Sequence, residues 1–297
     1  MNELPVVGVL GGSGLYEMTG LADVAERRVS TPFGEPSDAI VMGTLGDGSR
    51  GAVRLAFLPR HGRGHRIPPH RIDFRANLWA LKSLGAEHVI SISAVGSLRE
   101  GIRPGDLVVV DQFIDRTIAR PRTFFDEGIV AHVGFADPVC AVLGDTVQAA
   151  AQEATAGQPL SVHRGGTYVC IDGPQFSTRA ESMLFRSWNA SVVGMTNLPE
   201  ARLAREAEIC YATVALVTDW DSWHPTEADV SVDAVLAVLR ANVANARALI
   251  ALAARRVPRP RTCPCASALR NAILTEPGAV PPEARRRLDL LVRRYLP

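Results

Sequence analysis

An α/β fold around a largely parallel sheet is what this sequence of 297 residues predicts. Three observations carry that expectation. Short apolar, β-branched runs recur with glycine or polar punctuation between them, as buried strands do. Between several of them lie segments whose apolar residues fall three and four apart, which predicts helices, and strands alternating with helices favour parallel pairing. The composition is that of a globular chain: 47% hydrophobic, 21% charged, with 25 Gly and 20 Pro. The chain has no internal repeat.

In chain order, strands are expected over residues 6–10, 52–58, 88–93, 106–110, 166–171, 191–195 and 213–217. A helix is expected over 75–84, rich in Ala and Leu and stopped by Gly85. A second begins at Pro199 and runs to 209, proline being suited to a first helical turn. A third spans 231–256, with Val232, Val235, Leu236, Leu239, Val243, Ala246 and Ile250 on one stripe. Residues 1–256 are therefore taken as the main unit. After them, Val257-Pro258-Arg259-Pro260-Arg261 reads as a linker, and residues 257–297 as an extension packing on that unit or on a neighbouring subunit. Its last helix, 282–295, has Leu288, Leu291 and Val292 on one side; Asp289, its short length and the lack of an aromatic face argue against a membrane-surface role.

Lys plus Arg number 32 against 31 Asp plus Glu, a net charge of +1, so no overall field draws nucleic acid or anionic membrane. No apolar run approaches the roughly 18 residues that span a bilayer. The N-terminus lacks a basic region before its short apolar run, so no signal peptide is expected and the cytoplasm is the expected location. Cys140, Cys170 and Cys210 sit in apolar segments and read as small buried hydrophobes. Cys263-Pro264-Cys265 would give either a strained, reducible disulfide or, as expected in a reducing cytosol, two free thiols.

The first expected strand runs into Gly11-Gly12-Ser13-Gly14-Leu15, whose backbone N–H groups and Ser13 hydroxyl suit an anion; a tight structural turn explains it as well. Glu17 stands where a dinucleotide fingerprint needs glycine, and no Gly-Lys-Ser/Thr follows. After 52–58 comes Arg60-His61-Gly62-Arg63-Gly64-His65-Arg66, a set of phosphate donors whose plain alternative is a solvated basic loop. A zinc reading of His61, His65 and His70 lacks a carboxylate at ligand spacing. Hydroxyls recur at other strand ends: Ser93-Ala94-Val95-Gly96-Ser97, Met195-Thr196-Asn197 and Thr218-Asp219-Trp220-Asp221. In open α/β sheets ligands bind there. Asp219 and Asp221 would repel an oxyanion, so they should face another part of a substrate, as acid/base groups or as acceptors for a heterocycle's N–H donors. As structural caps they would need no function.

Seven ordered motifs then carry a resemblance: Gly11-Gly12-Ser13-Gly14-Leu15, Thr31-Pro32-Phe33-Gly34, Pro59-Arg60-His61-Gly62, Ala94-Val95-Gly96-Ser97-Leu98-Arg99, Asp111-Gln112-Phe113-Ile114-Asp115-Arg116-Thr117, Gly173-Pro174-Gln175-Phe176-Ser177-Thr178-Arg179-Ala180-Glu181 and Thr218-Asp219-Trp220-Asp221. The chain resembles the methylthioadenosine phosphorylases, in the trimeric branch of the purine nucleoside phosphorylases, over roughly residues 6 to 255. The resemblance implies a single-domain nucleoside phosphorylase fold with a mixed central sheet, partly barrelled and flanked by helices. It implies phosphorolysis of methylthioadenosine to adenine and methylthioribose 1-phosphate, in purine and methionine salvage, with phosphate as co-substrate and no cofactor or metal. It implies a homotrimer or a dimer of trimers.

By the same resemblance, Ser13, Arg60, His61, Ser93, Ala94 and Thr196 match the phosphate site. Met195 matches the residue under the ribose and Phe176 the one stacking near the base. Asp219 and Asp221 match the groups at purine N7 and the 6-amino group, Asp219 being the acid, while Ser177 and Val232 match positions that set specificity. His132 matches a residue reaching the neighbouring subunit's 5′ pocket. Gln175, Trp220 and Ser222 depart from the usual Arg, Tyr and Cys. The alternatives are a 6-oxopurine phosphorylase acting on methylthioinosine or inosine, and a non-catalytic purine-binding protein. A 6-oxo group facing a carboxylate would be repelled, which disfavours the first. A protein that had given up catalysis would be expected to lack Arg60, Asp219 or the glycine loop, and all are present.

Overall fold

The computed structural model describes residues 4–12, 14–15, 18–46, 51–225 and 232–296, without the side chains of 232–237 and 239–241. Ser13 and the Val232 side chain therefore lie outside the described residues.

Four buried strands form a parallel centre. β1 (Val6–Gly11) lies between β4 (Val53–Pro59) and β5 (Ala86–Ser97), parallel to both, and β11 (Cys210–Asp219) runs parallel on the other side of β5. Covered on both faces, these strands are apolar almost throughout, which is why the sequence reveals them. Antiparallel pairing extends the centre. β2 (Leu21–Arg27) and β3 (Ile40–Leu45) continue the sheet beyond β4. At the far end of β5 the sheet forks. β10 (Val192–Gly194) pairs antiparallel with Gly96 and Ser97 and leads to β9 (Thr167–Ile171) and β7 (Gln112–Arg116). β6 (Leu107–Val109) pairs antiparallel with β11 and leads to β8 (Val162–Arg164). The largely parallel sheet expected from the residues holds only at the centre; the mixed sheet implied by the resemblance is the one present.

β2, β3, β7 and β8 are additions to the expected strands. β2 is exposed along most of its length, so no apolar run marks it, and β8 has only three residues. α1 (Phe74–Ser83) begins where the Asp73 carboxylate accepts the Ala76 N–H at 3.0 Å and ends before Gly85, whose φ of +88° suits glycine. α4 (Asn197–Glu206) and α5 (Val232–Arg256) follow their patterns, whereas α2 (Ala141–Ala154) and α3 (Arg179–Ser187) escaped them. α2 carries Gly144 where the Arg164 guanidinium packs, and α3 leaves Met183 and Leu184 exposed.

The extension after Arg256 packs onto its own chain. Leu288, Leu291 and Val292 of α6 (Pro282–Val292) share a core with Leu78, Phe124 and Ile129. The Glu208 carboxylate accepts the Leu269 N–H and the Tyr295 hydroxyl, and Ala131 bridges to Ile273. Among the described residues no helix is long and apolar enough to cross a membrane.

Candidate active site

β11 carries the two carboxylates to the end of β5. Their register is regular from Cys210 opposite His88 to Val217 opposite Val95, then slips at a bulge so that Asp219 meets Gly96. A bulge re-aims the side chains beyond it. Glycine at 96 makes the room: a Cβ there would lie 2.8 Å from Asp219 Oδ1 and 3.0 Å from Asp221 Cβ. Asp219 Oδ2 accepts the Thr218 hydroxyl at 2.6 Å, and Oδ1 accepts the Asp221 N–H at 2.8 Å. Burial outweighs both bonds and raises the Asp219 pKa above the usual carboxylate range.

Asp221 is 6% exposed, adopts φ +50°, and its Oδ2 has no hydrogen-bond partner. Its pKa is raised as well, by burial and by the Asp219 charge, against the pull of the nearby Ser182 and Ser177 hydroxyls. Those hydroxyls are themselves buried without a formed hydrogen bond. An unpartnered buried carboxylate oxygen is costly, and Asp221 Oδ2 suits an N–H donor of a bound heterocycle.

The hydroxyl cluster lies three residues back along β5, about 10 Å of strand. Ser93 Oγ is 3.2 Å from Thr196 Oγ1 and 3.1 Å from the Tyr168 hydroxyl, all three buried. Thr196 precedes α4 but makes no side-chain cap bond, which leaves its hydroxyl to Ser93. Ala94 is half-buried beside Ser93. Met195 is half-buried; Arg120 holds its carbonyl at 2.8 Å, and a Cβ on Gly173 would strike its sulfur. Phe176 is 42% exposed on the loop before α3, and Ser177 beside it is buried.

Arg60 is placed differently from the open phosphate fork that the sequence suggests. It is 2% exposed, and its guanidinium grips Glu200 at 2.7 and 3.1 Å, Ser91 Oγ at 2.7 Å and the Ile92 carbonyl at 2.7 Å. Four of its five N–H donors are spent inside the protein, and its charge is matched by Glu200. Arg63 and Arg66 of the same loop pair with Glu26 and Asp38. His61 Nδ1 lies 2.9 Å from the Ile67 carbonyl, which only accepts, so Nδ1 carries the proton. Burial, with Arg60 adding to it, pushes the His61 pKa down to about 4. The ring is therefore neutral near pH 7 and its Nε2 is an acceptor. The loop offers an ordered neutral site where a strongly basic one was expected.

His132 stands apart from these groups. It is exposed, on a loop fixed where its N–H donates to the Ala272 carbonyl at 2.8 Å. Glu200, Ser91, Tyr168, Tyr211 and Ser182 escaped the sequence reading. Glu200 lies in a helical pattern where an acid reads as solvated, yet it also accepts the Tyr211 hydroxyl at 2.9 Å. Its partners Arg60 and Ser91 are 140 and 109 positions away, so no local spacing reveals them.

The model of the phosphorylase superfamily matches residues 6–255. An S-methyl-5′-thioadenosine phosphorylase of Geobacter sulfurreducens is 59% identical, covering 98% of this chain and 99% of its own. One of Thermosynechococcus vestitus is 52% identical over the same shares. The crystal structure of a methylthioadenosine phosphorylase from an antarctic soil metagenomic library superposes with a TM-score of 0.91 at 46% identity, covering 97% of this chain and 99% of that one. A Schistosoma mansoni methylthioadenosine phosphorylase in complex with adenine gives 0.77 at 40% identity, covering 84% and 90%. With its fold, its length and much of its sequence in common with these proteins, the chain belongs to the phosphorylase superfamily, on the branch that they occupy.

Proposed function

We propose that the chain catalyses phosphorolysis of S-methyl-5′-thioadenosine to adenine and 5-methylthioribose 1-phosphate, a step of purine and methionine salvage. The carrying observation is the pair of desolvated carboxylates Asp219 and Asp221 about 10 Å of strand from the hydroxyls of Ser93 and Thr196. Phosphate binds at Ser93, Ala94, Thr196 and His61, with Ser13 completing it and the remaining Arg60 Nη1–H turned to it. A phosphate oxygen bonds to C1′ as the C1′–N9 bond breaks, the electron pair passing to the purine. Asp219, whose pKa burial raises, delivers a proton to N7 and recovers one from solvent. The unpartnered Asp221 Oδ2 accepts from the 6-amino group. Met195 supports the ribose and Phe176 covers the base. Ser177, beside Asp221, tunes choice of base, and Val232 choice of 5′ substituent. No step calls for a cofactor or a metal.

Neutral His61 adds a selectivity of its own. Its Nε2 accepts a proton that hydrogen phosphate and hydrogen arsenate carry and sulfate lacks. Base release from methylthioadenosine, adenosine, inosine and methylthioinosine tests the whole reading. Adenine nucleosides should react, only with phosphate or arsenate present, and sulfate should compete at least about tenfold more weakly than phosphate, the worth of one hydrogen bond to a charged group. Turnover with neither phosphate nor arsenate present, or a preference for inosine, would refute it.

We further propose a cytoplasmic homotrimer in which His132, exposed on the single chain, enters the 5′ pocket of the neighbouring subunit. His132→Ala should weaken binding of the methylthio nucleoside about tenfold and leave free adenine unaffected. Light scattering that finds an active monomer would end this reading.

A further inference from the structure

A second cluster of chemically able side chains lies at the opposite end of β11 from Asp219, about 30 Å of strand away. Cys140 precedes α2, Cys210 opens β11, and Cys263 and Cys265 flank Pro264 in the extension. Their four sulfurs lie within 4.8 Å of one another, Cys210 and Cys263 at 3.2 Å. Cys140, Cys210 and Cys265 are buried and Cys263 is half-buried; all are free thiols. Read alone, the sequence assigns Cys140 and Cys210 to packing and finds no ligand spacing. Packing accounts for the burial of each cysteine, as it does for Cys170, but not for four of them meeting from three segments.

We propose that Cys140, Cys210, Cys263 and Cys265 form a structural zinc site that fastens the C-terminal extension to the sheet. Zinc bound to four thiolates at about 2.3 Å makes a tetrahedron with sulfur–sulfur edges of about 3.8 Å, within the range these atoms span. Four protein ligands close the sphere, and a closed site is structural because it has no position for substrate. Each thiol that becomes a ligand gives its proton to solvent. The resulting tetrathiolate has two negative charges in excess. The metal would join α2, the first residue of β11 and the extension, and would take no part in phosphorolysis.

The test begins with the unaltered full-length chain, purified under reducing conditions without chelator and also after zinc addition. One zinc per chain is expected, and cobalt in its place should show thiolate-to-cobalt charge-transfer and tetrahedral d–d bands. C263S/C265S should lose the metal and melt at least about 5 °C lower, while phosphorolysis at room temperature persists. A chain purified under reducing conditions that binds neither zinc nor cobalt overturns the proposal, whether its mass then shows free thiols or the hydrogen loss of disulfides. So does a double variant that keeps its metal.

Discussion

Asp219→Asn should lower turnover of methylthioadenosine by about 10²- to 10⁴-fold, the usual worth of a general acid, and move base preference strongly toward hypoxanthine nucleosides. An amide delivers no proton to N7, but it donates to the N7 lone pair and to a 6-oxo group. The fold has room for the change. Asn Oδ1 would still accept the Asp221 N–H, and the Thr218 hydroxyl, already 3.2 Å from the Val95 carbonyl, would turn to donate there while its oxygen accepts from the new amide. Stability follows from the same shift. A carboxyl whose pKa is raised by folding binds its proton more tightly folded than unfolded, so its contribution is present below the unfolded pKa and is lost as pH rises through the raised folded value. The Asn protein, with no ionisable group at that position, should therefore lose less stability than the parent as pH rises through that range. If Asp219 were only a cap, the variant would lose stability and keep its base preference. The ratio of kcat/KM for methylthioadenosine over methylthioinosine, measured with the melting temperature, separates the two; an unchanged ratio refutes the acid.

The central strands legible in sequence are buried on both sides, although β3, nearly as buried, was not among them. β1, β4, β5 and β11 read as apolar runs because helices or other strands cover both faces. β2 was invisible because its residues face solvent and its place is set by the ladder to β3. At the site, Gly96 and the two aspartates were legible because a close approach and two desolvated acids leave marks on residue type. Arg60 was legible as a residue but not as a partner. Its neutralisation depends on Glu200 and Ser91, brought to it only when α4 packs against β5 and β11. The cysteine cluster was hidden for the same reason, since three distant segments supply its four sulfurs.

Glu200→Ala should destabilise the chain by about 3–5 kcal/mol, because it leaves the Arg60 guanidinium buried without its counter-charge. The side chains of Arg60 and Glu200 are 3% and 1% exposed, so water cannot take over the lost role. Burial works against the Arg60 charge, and Glu200 more than offsets that penalty. The loss spreads, since Glu200 Oε2 also accepts from Ser91 at 3.1 Å and from Tyr211 at 2.9 Å. A fall in melting temperature of about 10 °C or more follows for a chain of this size. Removing both charges, as Arg60→Met with Glu200→Leu, should recover much of that stability, because two apolar groups of similar volume leave no unpaired ion. Phosphate affinity should then fall, since the one remaining Arg60 N–H would be gone. Denaturant unfolding of both single variants and the double, analysed as a cycle, measures the coupling directly. A Glu200→Ala protein within about 1 kcal/mol of the parent, the level of exposed ion pairs, would show that Arg60 has water or another acid for company.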